Sequence, residues 1–209
     1  MATEEPNKAE VGSEMPGLHL SAAAQEYYNK HFVPRLHALR ERSMQEKLSI
    51  CILGPGTHSE WHGKRIKVAQ RLTDHPVACV PFFIEYAITA SDPLLGIGSL
   101  TEKERQYLQA AELIIVMDLG SGVCGEIHDF ARDLELGAKM HILIPNWCQD
   151  GYTFHSVLKD SHATVHVFDM EELKRCRLVD RCCDVAIIEK QLKYHMRLLV
   201  ESAGKRYTF

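Results

Sequence analysis

The stretch that most constrains the fold runs from residue 110 to residue 145, where two short apolar runs enclose a glycine turn and a helical pattern. Leu113–Met117 is rich in β-branched residues, which predicts a strand buried on both faces. Met140–Ile144 predicts a second strand of the same kind. A strand, helix and strand in this order indicate a parallel sheet.

The segment between these strands carries apolar residues that mostly keep helical spacing. Gly137 follows them and is a plausible end for the helix. We therefore expect one helix that begins near Glu126, with its apolar positions at Ile127, Phe130, Ala131, Leu134 and Leu136.

Two carboxylates flank the glycine turn. Asp118 follows the first strand, Gly120 and Gly122 allow a sharp turn, and Glu126 opens the helix. Ligands of open α/β sheets bind beyond the carboxyl ends of the strands, where backbone N–H groups of a helix can bind anionic groups. The alternative is structural, with Asp118 as a helix cap and Glu126 favoured by the helix dipole.

The rest of the chain continues the alternation of strands and helices. Further strands are predicted at Leu48–Leu53, in the region 77–83, and at 163–168 as an edge strand. The turn residues between 84 and 98 predict an irregular segment. The class is therefore α/β with a mainly parallel sheet.

Three segments divide the chain. Residues 1–17 are polar and acidic and are predicted to be a disordered tail. Residues 18–47 form a helical extension that Pro34 should break or kink, with apolar positions expected to be buried at Tyr27, Tyr28, Phe32, Leu36 and Leu39. Residues 48–209 form the α/β domain, which closes with a helix over 171–202 that is expected to break near Cys182.

Composition limits the function classes. The 209 residues suffice for one α/β domain, and a formal net charge of −4 argues against binding nucleic acid through its phosphates. No apolar run approaches the length of a membrane span, and the acidic N-terminus lacks the layout of a secretory signal. The 7 cysteines, an odd number, indicate reduced thiols, so we expect a cytoplasmic protein that binds neither membrane nor nucleic acid.

The loop after the first predicted strand, GPGTHSEWHGK, contains glycine but matches neither the Walker A pattern nor GxGxxG. A generic turn and a ligand-cradling loop are equally open, because this is the first strand-to-helix turn of the sheet. Its backbone, hydroxyl and ring groups are our candidates for substrate binding: Gly54, Pro55, Gly56, Thr57, His58, Ser59 and Trp61.

Metal and cysteine chemistry are weaker alternatives. His58 and His62 are four residues apart, but the motif is not HExxH and no third ligand is evident. Cys176, Cys182 and Cys183 contain no CxxC pair. Cys124, near a helix N-terminus, is either a nucleophile or a small buried residue. We expect no metal and no cofactor.

From Thr101 to Pro145 the chain resembles the nucleoside 2-deoxyribosyltransferase family and the related deoxynucleoside monophosphate N-glycosidases. The first strand ends in Leu53-Gly54-Pro55-Gly56, a later helix carries Glu104 at the family's acidic place, and Gly122 to Glu126 matches the turn before the catalytic glutamate. The chain departs from the pattern in having Glu104 where Asp is usual and in lacking the family's C-terminal asparagine.

The resemblance implies a flavodoxin/Rossmann-like domain of about five parallel strands flanked by helices, with added N- and C-terminal helices. It implies cleavage or transfer of an N-glycosidic bond of a small nucleoside or nucleotide by a homo-oligomer. Glu126 would be the nucleophile and Asp118 or Glu104 the second acid, while Ser121 and Gly122 would bind substrate through the backbone. Two alternatives remain open: a nucleotide sensor without chemistry, and an NAD-cleaving enzyme like some TIR-like proteins. Trp61, Phe82 and Tyr86 could stack on a base.

Overall fold

Five parallel strands form a single sheet in the order β2-β1-β3-β4-β5. The structure, a computed structural model, describes residues 21–91, 99–119, 123, 130–148, 155 and 160–204. This strand order is the flavodoxin-like one, so the predicted α/β class is confirmed. The strands are β1 (Leu48–Leu53), β2 (Cys79–Phe82), β3 (Leu113–Met117), β4 (Met140–Pro145) and β5 (Thr164–Phe168).

Helices precede, connect and follow the strands along the chain. In the described part of the chain they are α1 (Ala22–Tyr27), α2 (Val33–Gln45), α3 (His62–Thr73), α4 (Ile84–Ser91), α5 (Leu100–Ala110), α6 (Leu134–Ala138), α7 (Met170–Lys174) and α8 (Arg177–Gly204). A π-helical turn, Tyr28–Phe32, joins α1 to α2, and a 3-10 turn, Asn146–Cys148, follows β4.

Each face of the sheet has its own core. The face of Ile52, Ile115 and Leu143 packs on α3 and α8, whereas the face of Leu53, Val116 and Ile142 packs on α4, α5 and α6. β3 is central and buried along its length, as its apolar run predicts. β5 is an edge strand, which confirms that prediction too.

The chain divides into two compact units, residues 1–38 and 39–209. In the first unit Pro34 lies just after the π-helical turn, where the N–H of Val33 bonds to the carbonyl of Tyr28. The π-helical turn is wider than an α-helical one and lies just before Pro34, whose nitrogen cannot donate. The chain therefore continues as a helix with an irregular turn where a break or kink was predicted. The burial predicted for Tyr27, Tyr28 and Phe32 is wrong, because all three side chains are exposed.

Two local predictions are wrong for reasons of capping and packing. Residues 84–91 form α4, because Ile84 is buried and Glu85 in its first turn is held by Arg65. The helix predicted to run from Glu126 through Leu136 is interrupted at residues 131–133, where the Asp133 carboxylate accepts from the N–H groups of Glu135 and Leu136 and starts α6.

Gly137 does not end a helix in the predicted way. It lies inside α6, where a Cβ atom would be 2.5 Å from the carbonyl oxygen of Ala131. The glycine is therefore needed for close packing of two backbone segments.

The C-terminal break lies six residues earlier than predicted. Cys176, with φ of 65°, separates α7 from α8, whereas Cys182 and Cys183 are buried inside α8. Burial raises the pKa of the Cys183 thiol to about 11, which suits a packing residue. The later part of α8 exposes large apolar side chains at Ile188, Leu192, Met196, Leu199 and Val200, and the homo-oligomer stays a prediction.

None of the helices in the described ranges combines the length and apolar character that crossing a bilayer requires. The cysteines in the same ranges are all free thiols.

Candidate functional site

The candidate site lies where β1 and β3 end side by side. From β1 the chain moves outward to β2, then crosses back to place β3 on the other side of β1. The connections therefore leave the two strand ends in opposite directions and open a crevice, which is where ligands bind in sheets of this order. Leu53 pairs with Val116, so Gly54 and Pro55 lie beside Met117 and Asp118.

Gly54 lets these two strand ends approach closely. A Cβ atom at this position would lie 3.2 Å from the Cβ of Met117 and 3.4 Å from the Cδ of Arg65. At Gly56, by contrast, a Cβ would meet open space. Close packing therefore explains the glycine at position 54, whereas position 56 has room for a side chain.

The remainder of the loop turns directly into α3. The N–H of Ser59 bonds to the carbonyl of Gly56 at 3.0 Å, and the Ser59 hydroxyl accepts from the N–H of Trp61 at 3.2 Å. His62 Nδ1 donates to the carbonyl of Pro55 at 3.1 Å, because a carbonyl can only accept. These bonds fix the entry to α3 at the crevice, with the side chains of Thr57 and His58 exposed.

Trp61 and Pro55 are less exposed than Thr57 and His58 at the tip of this loop. Pro55 is buried, and Trp61 packs partly against the core shared by α3 and α8. Only part of the indole surface is therefore available for a base to stack on.

Asp118 lies deep at the end of β3. It is only 8% exposed, and its N–H bonds to the carbonyl of Leu143 at 3.0 Å, which extends the pairing of β3 with β4 by one residue. A carboxyl group so near the backbone ends of two strands is positioned by the sheet rather than by a loop.

Glu104 belongs to a different element from Asp118. It lies on α5 and is half-buried, one turn before Tyr107, whose hydroxyl donates to the carbonyl of Ala87 in α4 at 3.2 Å. Residues three apart share a side of a helix, so Glu104 lies on the side of α5 that faces α4. Glu126, Ser121, Gly122 and Cys124 lie outside the described residues.

Two further residues at this edge of the sheet, Arg65 and Glu85, are not among the site residues predicted from the sequence. Arg65 is 2% exposed, and its guanidinium donates to the carbonyl of Ile52 through Nε at 3.0 Å and Nη2 at 2.6 Å. The same group binds both carboxylate oxygens of Glu85, with Nη2 to Oε2 at 2.8 Å, and lies 4.5 Å from the ring centroid of Phe83. A buried arginine with this many acceptors ties the end of β1 to the start of α4.

The sequence does contain a pattern that points to Arg65. This residue has the same helical spacing as the buried residues Val68 and Leu72, so a charged residue occupies the apolar side of α3. A charge at such a position needs a buried partner, although the spacing does not say which carboxylate provides it.

Trp147 is a third residue at this edge of the sheet that the sequence-based prediction did not include. It follows β4, is 49% exposed, and lies nearly perpendicular to the ring of Phe168, with a centroid distance of 5.9 Å. An exposed indole beyond a strand end offers a flat apolar surface to a ligand.

A metal centre finds no support in the described ranges, where no three His, Cys, Asp or Glu side chains are grouped to hold a metal ion. His58 and His62 do not converge there, because His62 turns back to the carbonyl of Pro55 while His58 is exposed.

Comparisons with known proteins add little to this geometry. No family model matches the chain, and no curated protein matches it by sequence. Among solved structures, the flavoenzyme NAD(P)H:(acceptor) oxidoreductase FerB from Paracoccus denitrificans is similar over 70% of this chain and 97% of its own, with 11% identity and a TM-score of 0.39. The assignment of the fold therefore rests on the strand order and register described above.

Proposed function

We propose that this chain cleaves or transfers the N-glycosidic bond of a nucleoside or nucleotide, with Glu126 as the nucleophile. The observation that supports it best is the arrangement of the β1 and β3 ends, where the connections leave in opposite directions and Asp118 lies beside the glycine loop. In the sequence, the motif from Gly122 to Glu126 begins four residues after Asp118.

The chemistry follows from the residue types. Breaking the bond between a sugar and a base develops positive charge at the anomeric carbon, and a nearby carboxylate either stabilises that charge or attacks the carbon. In the proposal Glu126 forms the new C–O bond as the C–N bond to the base breaks. Water or an acceptor base then attacks the same carbon and releases Glu126.

A second acid has to deliver a proton to the leaving base or orient the nucleophile. Asp118 is the better candidate by position at the end of β3, whereas Glu104 is the better one by resemblance. The loop from Gly54 to Ser59 would contact sugar hydroxyls or a phosphate through backbone N–H groups and the exposed Thr57 and His58 side chains.

The test is release of free base. The full chain is incubated separately with deoxynucleosides, deoxynucleoside monophosphates and NAD, and the products are separated by chromatography. We expect base release in one of the first two arms. Release of nicotinamide alone would instead favour an NAD-cleaving enzyme, and no release in any arm would overturn the enzymatic proposal.

The role of Glu126 is tested by Glu126→Gln. The amide neither attacks the anomeric carbon nor stabilises a cationic sugar, so the rate of base release should fall by about 10³-fold or more, with little change in melting temperature. Glu135→Gln is the matched control, because Glu135 is an exposed residue of α6 that bonds to Lys139. An active Glu126→Gln variant would contradict the assigned nucleophile.

A nucleotide sensor without chemistry is the second candidate. It is favoured by the deep burial of Asp118, which fits a carboxyl that maintains the end of β3. Raised melting temperatures with nucleotides in the absence of base release would support binding alone.

A further inference from the structure

Two histidines lie edge to edge beneath α8, on the side of the sheet that packs on that helix. His141 on β4 and His166 on β5 have ring planes 14° apart and ring centroids 5.2 Å apart. The Nδ1 atom of His141 lies 3.0 Å from the Nε2 atom of His166. One of these nitrogens must therefore donate and the other accept.

Charged groups on α8 and α7 surround the pair. Glu189 of α8 places Oε1 3.3 Å from Nε2 of His141. Arg181, two turns earlier on α8, donates from Nη1 to the carbonyl of Val167 at 2.7 Å and to the carboxylate of Glu172 in α7. The pair thus lies between an anion beside His141 and a cation that acts on His166.

The hydrogen bonds determine where protons lie. The Glu189 carboxylate can only accept, so Nε2 of His141 carries a proton. In the neutral pair Nδ1 of His141 then accepts from Nε2–H of His166. One added proton reverses that bond: it binds Nδ1 of His166, the Nε2 proton of His166 passes to Nδ1 of His141, and His141 becomes the imidazolium that donates to the lone pair left on Nε2 of His166. A second added proton leaves N–H groups facing each other and breaks the bond.

The surroundings oppose protonation of both rings. Burial lowers the pKa of His141, although the Glu189 carboxylate counteracts this effect. Burial also lowers the pKa of His166, and the charges of His141 and Arg181 lower it further. Because both pKa values lie below 6.5 in the folded chain, the stability linked to the neutral rings is present above about pH 6.5 and declines as the pH falls.

We propose that His141 and His166 form a proton-sensitive contact between α8 and the β5 edge of the sheet. The pair accepts one proton as a unit and stays joined, with the charge beside Glu189. A second proton separates the rings and loosens the packing of α8 on β5. No ligand is involved, so the proposal is independent of the proposed function.

The first test follows the imidazole C–H resonances of the full chain by NMR between pH 8 and pH 4.5, with assignments from His141→Asn and His166→Asn. We expect both rings to respond to the first proton together, with a midpoint below 6.5, and to the second at lower pH. Glu189→Gln should move the first midpoint to lower pH, because it removes the charge that favours a proton on His141. Independent titration of the rings near pH 6.5 would overturn the proposal.

The second test measures hydrogen exchange of β5 and α8 amides at pH 7.5 to 5.0, corrected for the intrinsic rate at each pH. The equilibrium constant for the opening that exposes these amides should rise on acidification. The rise should be up to about tenfold per pH unit for each proton that the protein takes up on opening. His166→Asn should flatten this dependence, whereas His195→Asn, an exposed ring on the same helix bonded to the Gln191 carbonyl, should keep it. Equal slopes in both variants would overturn the proposal. If His166→Asn does not fold, the wild-type titration and Glu189→Gln decide the outcome.

Discussion

At the amino edge of the sheet, α8 supplies cations to groups that precede the strands, whereas at the carboxyl edge the strands continue into short loops. Lys190 donates to the carbonyls of Ala78, at 3.1 Å, and Glu46, and Lys193 binds Glu112 at 3.0 Å. At the other edge Thr57 and His58 are exposed beside the buried strand ends.

The two edges of the sheet differ in what their polar groups contact. Glu112 accepts from the N–H of Ser49 at 3.0 Å and returns a bond from its own N–H to the Ser49 hydroxyl at 3.1 Å, so β1, β3 and α8 are joined at one carboxylate. Polar groups of the amino edge thus connect elements to one another. At the carboxyl edge Arg65 also connects two elements, but the loop side chains of Thr57 and His58 are exposed. We therefore expect changes at the amino edge to alter stability, and changes in the exposed loop at the carboxyl edge to alter ligand binding.

The largest effect on stability is expected from Gly137→Ala, just before β4 at the amino edge. The new methyl group would meet a backbone carbonyl, that of Ala131, so the segments must separate at a cost of about 2–3 kcal/mol. For a chain of this size the melting temperature should fall by roughly 4–12 °C.

Gly63→Ala is the matched control, because Gly63 lies in α3 with open space around a Cβ. It should be neutral or stabilise the chain by up to about 1 kcal/mol through higher helix propensity. A destabilisation by Gly137→Ala no greater than that by Gly54→Ala, where the neighbour is the Met117 side chain, would weaken the distinction between the edges.

An intermediate effect is expected from Lys190→Met. The side chain is 4% exposed, and its removal leaves the carbonyls of Ala78 and Glu46 without this donor, at a cost of about 1–2 kcal/mol measured by urea unfolding. Lys67→Met, at an exposed position on α3, should change stability by less than about 0.5 kcal/mol. A Lys190→Met variant with unchanged stability and altered nucleotide binding would reverse the comparison.

The smallest effect is expected from Glu112→Gln. Burial raises the pKa of Glu112, but hydrogen bonds from Ser49 and Lys193 outweigh it, so the pKa is lower in the folded chain than 4.5. The stability linked to this carboxylate is therefore present above about pH 4.5 and is lost as the pH falls through the folded value.

Glu112→Gln should cost a few tenths of a kcal/mol up to about 1 kcal/mol at pH 7, because the carboxylate is partly exposed and the attraction is screened. The difference from wild type should shrink at pH 3 to 4 in unfolding experiments. A difference that is constant between pH 7 and pH 3 would show that charge on Glu112 does not matter.

Much of the sheet could be predicted because its three inner strands, β1, β3 and β4, are mostly buried on both faces. Such strands need nearly continuous apolar runs, and the bounds predicted for β1 and β3 agree with the structure residue for residue. The placement of Asp118 after β3 and of the glycine loop after β1 follows from the same runs.

The features that the sequence did not predict depend on contacts between distant segments of the chain. α4 was predicted to be irregular because turn residues follow it, yet Arg65 from α3 holds Glu85 in its first turn. Similarly, Gly137 looks like a helix end in the sequence, and only the approach of the Ala131 carbonyl reveals its packing role.

The sequence by itself determined the alternation of buried strands and helices, because hydrophobic burial leaves a local pattern of period and length. The tertiary structure alone decided the strand order, which brings Gly54 to Met117, Arg65 to Glu85 and His141 to His166. Polar partners of this kind are 20 or more residues apart in the chain, and a hydrogen bond between them depends on a distance and an angle that no local spacing encodes.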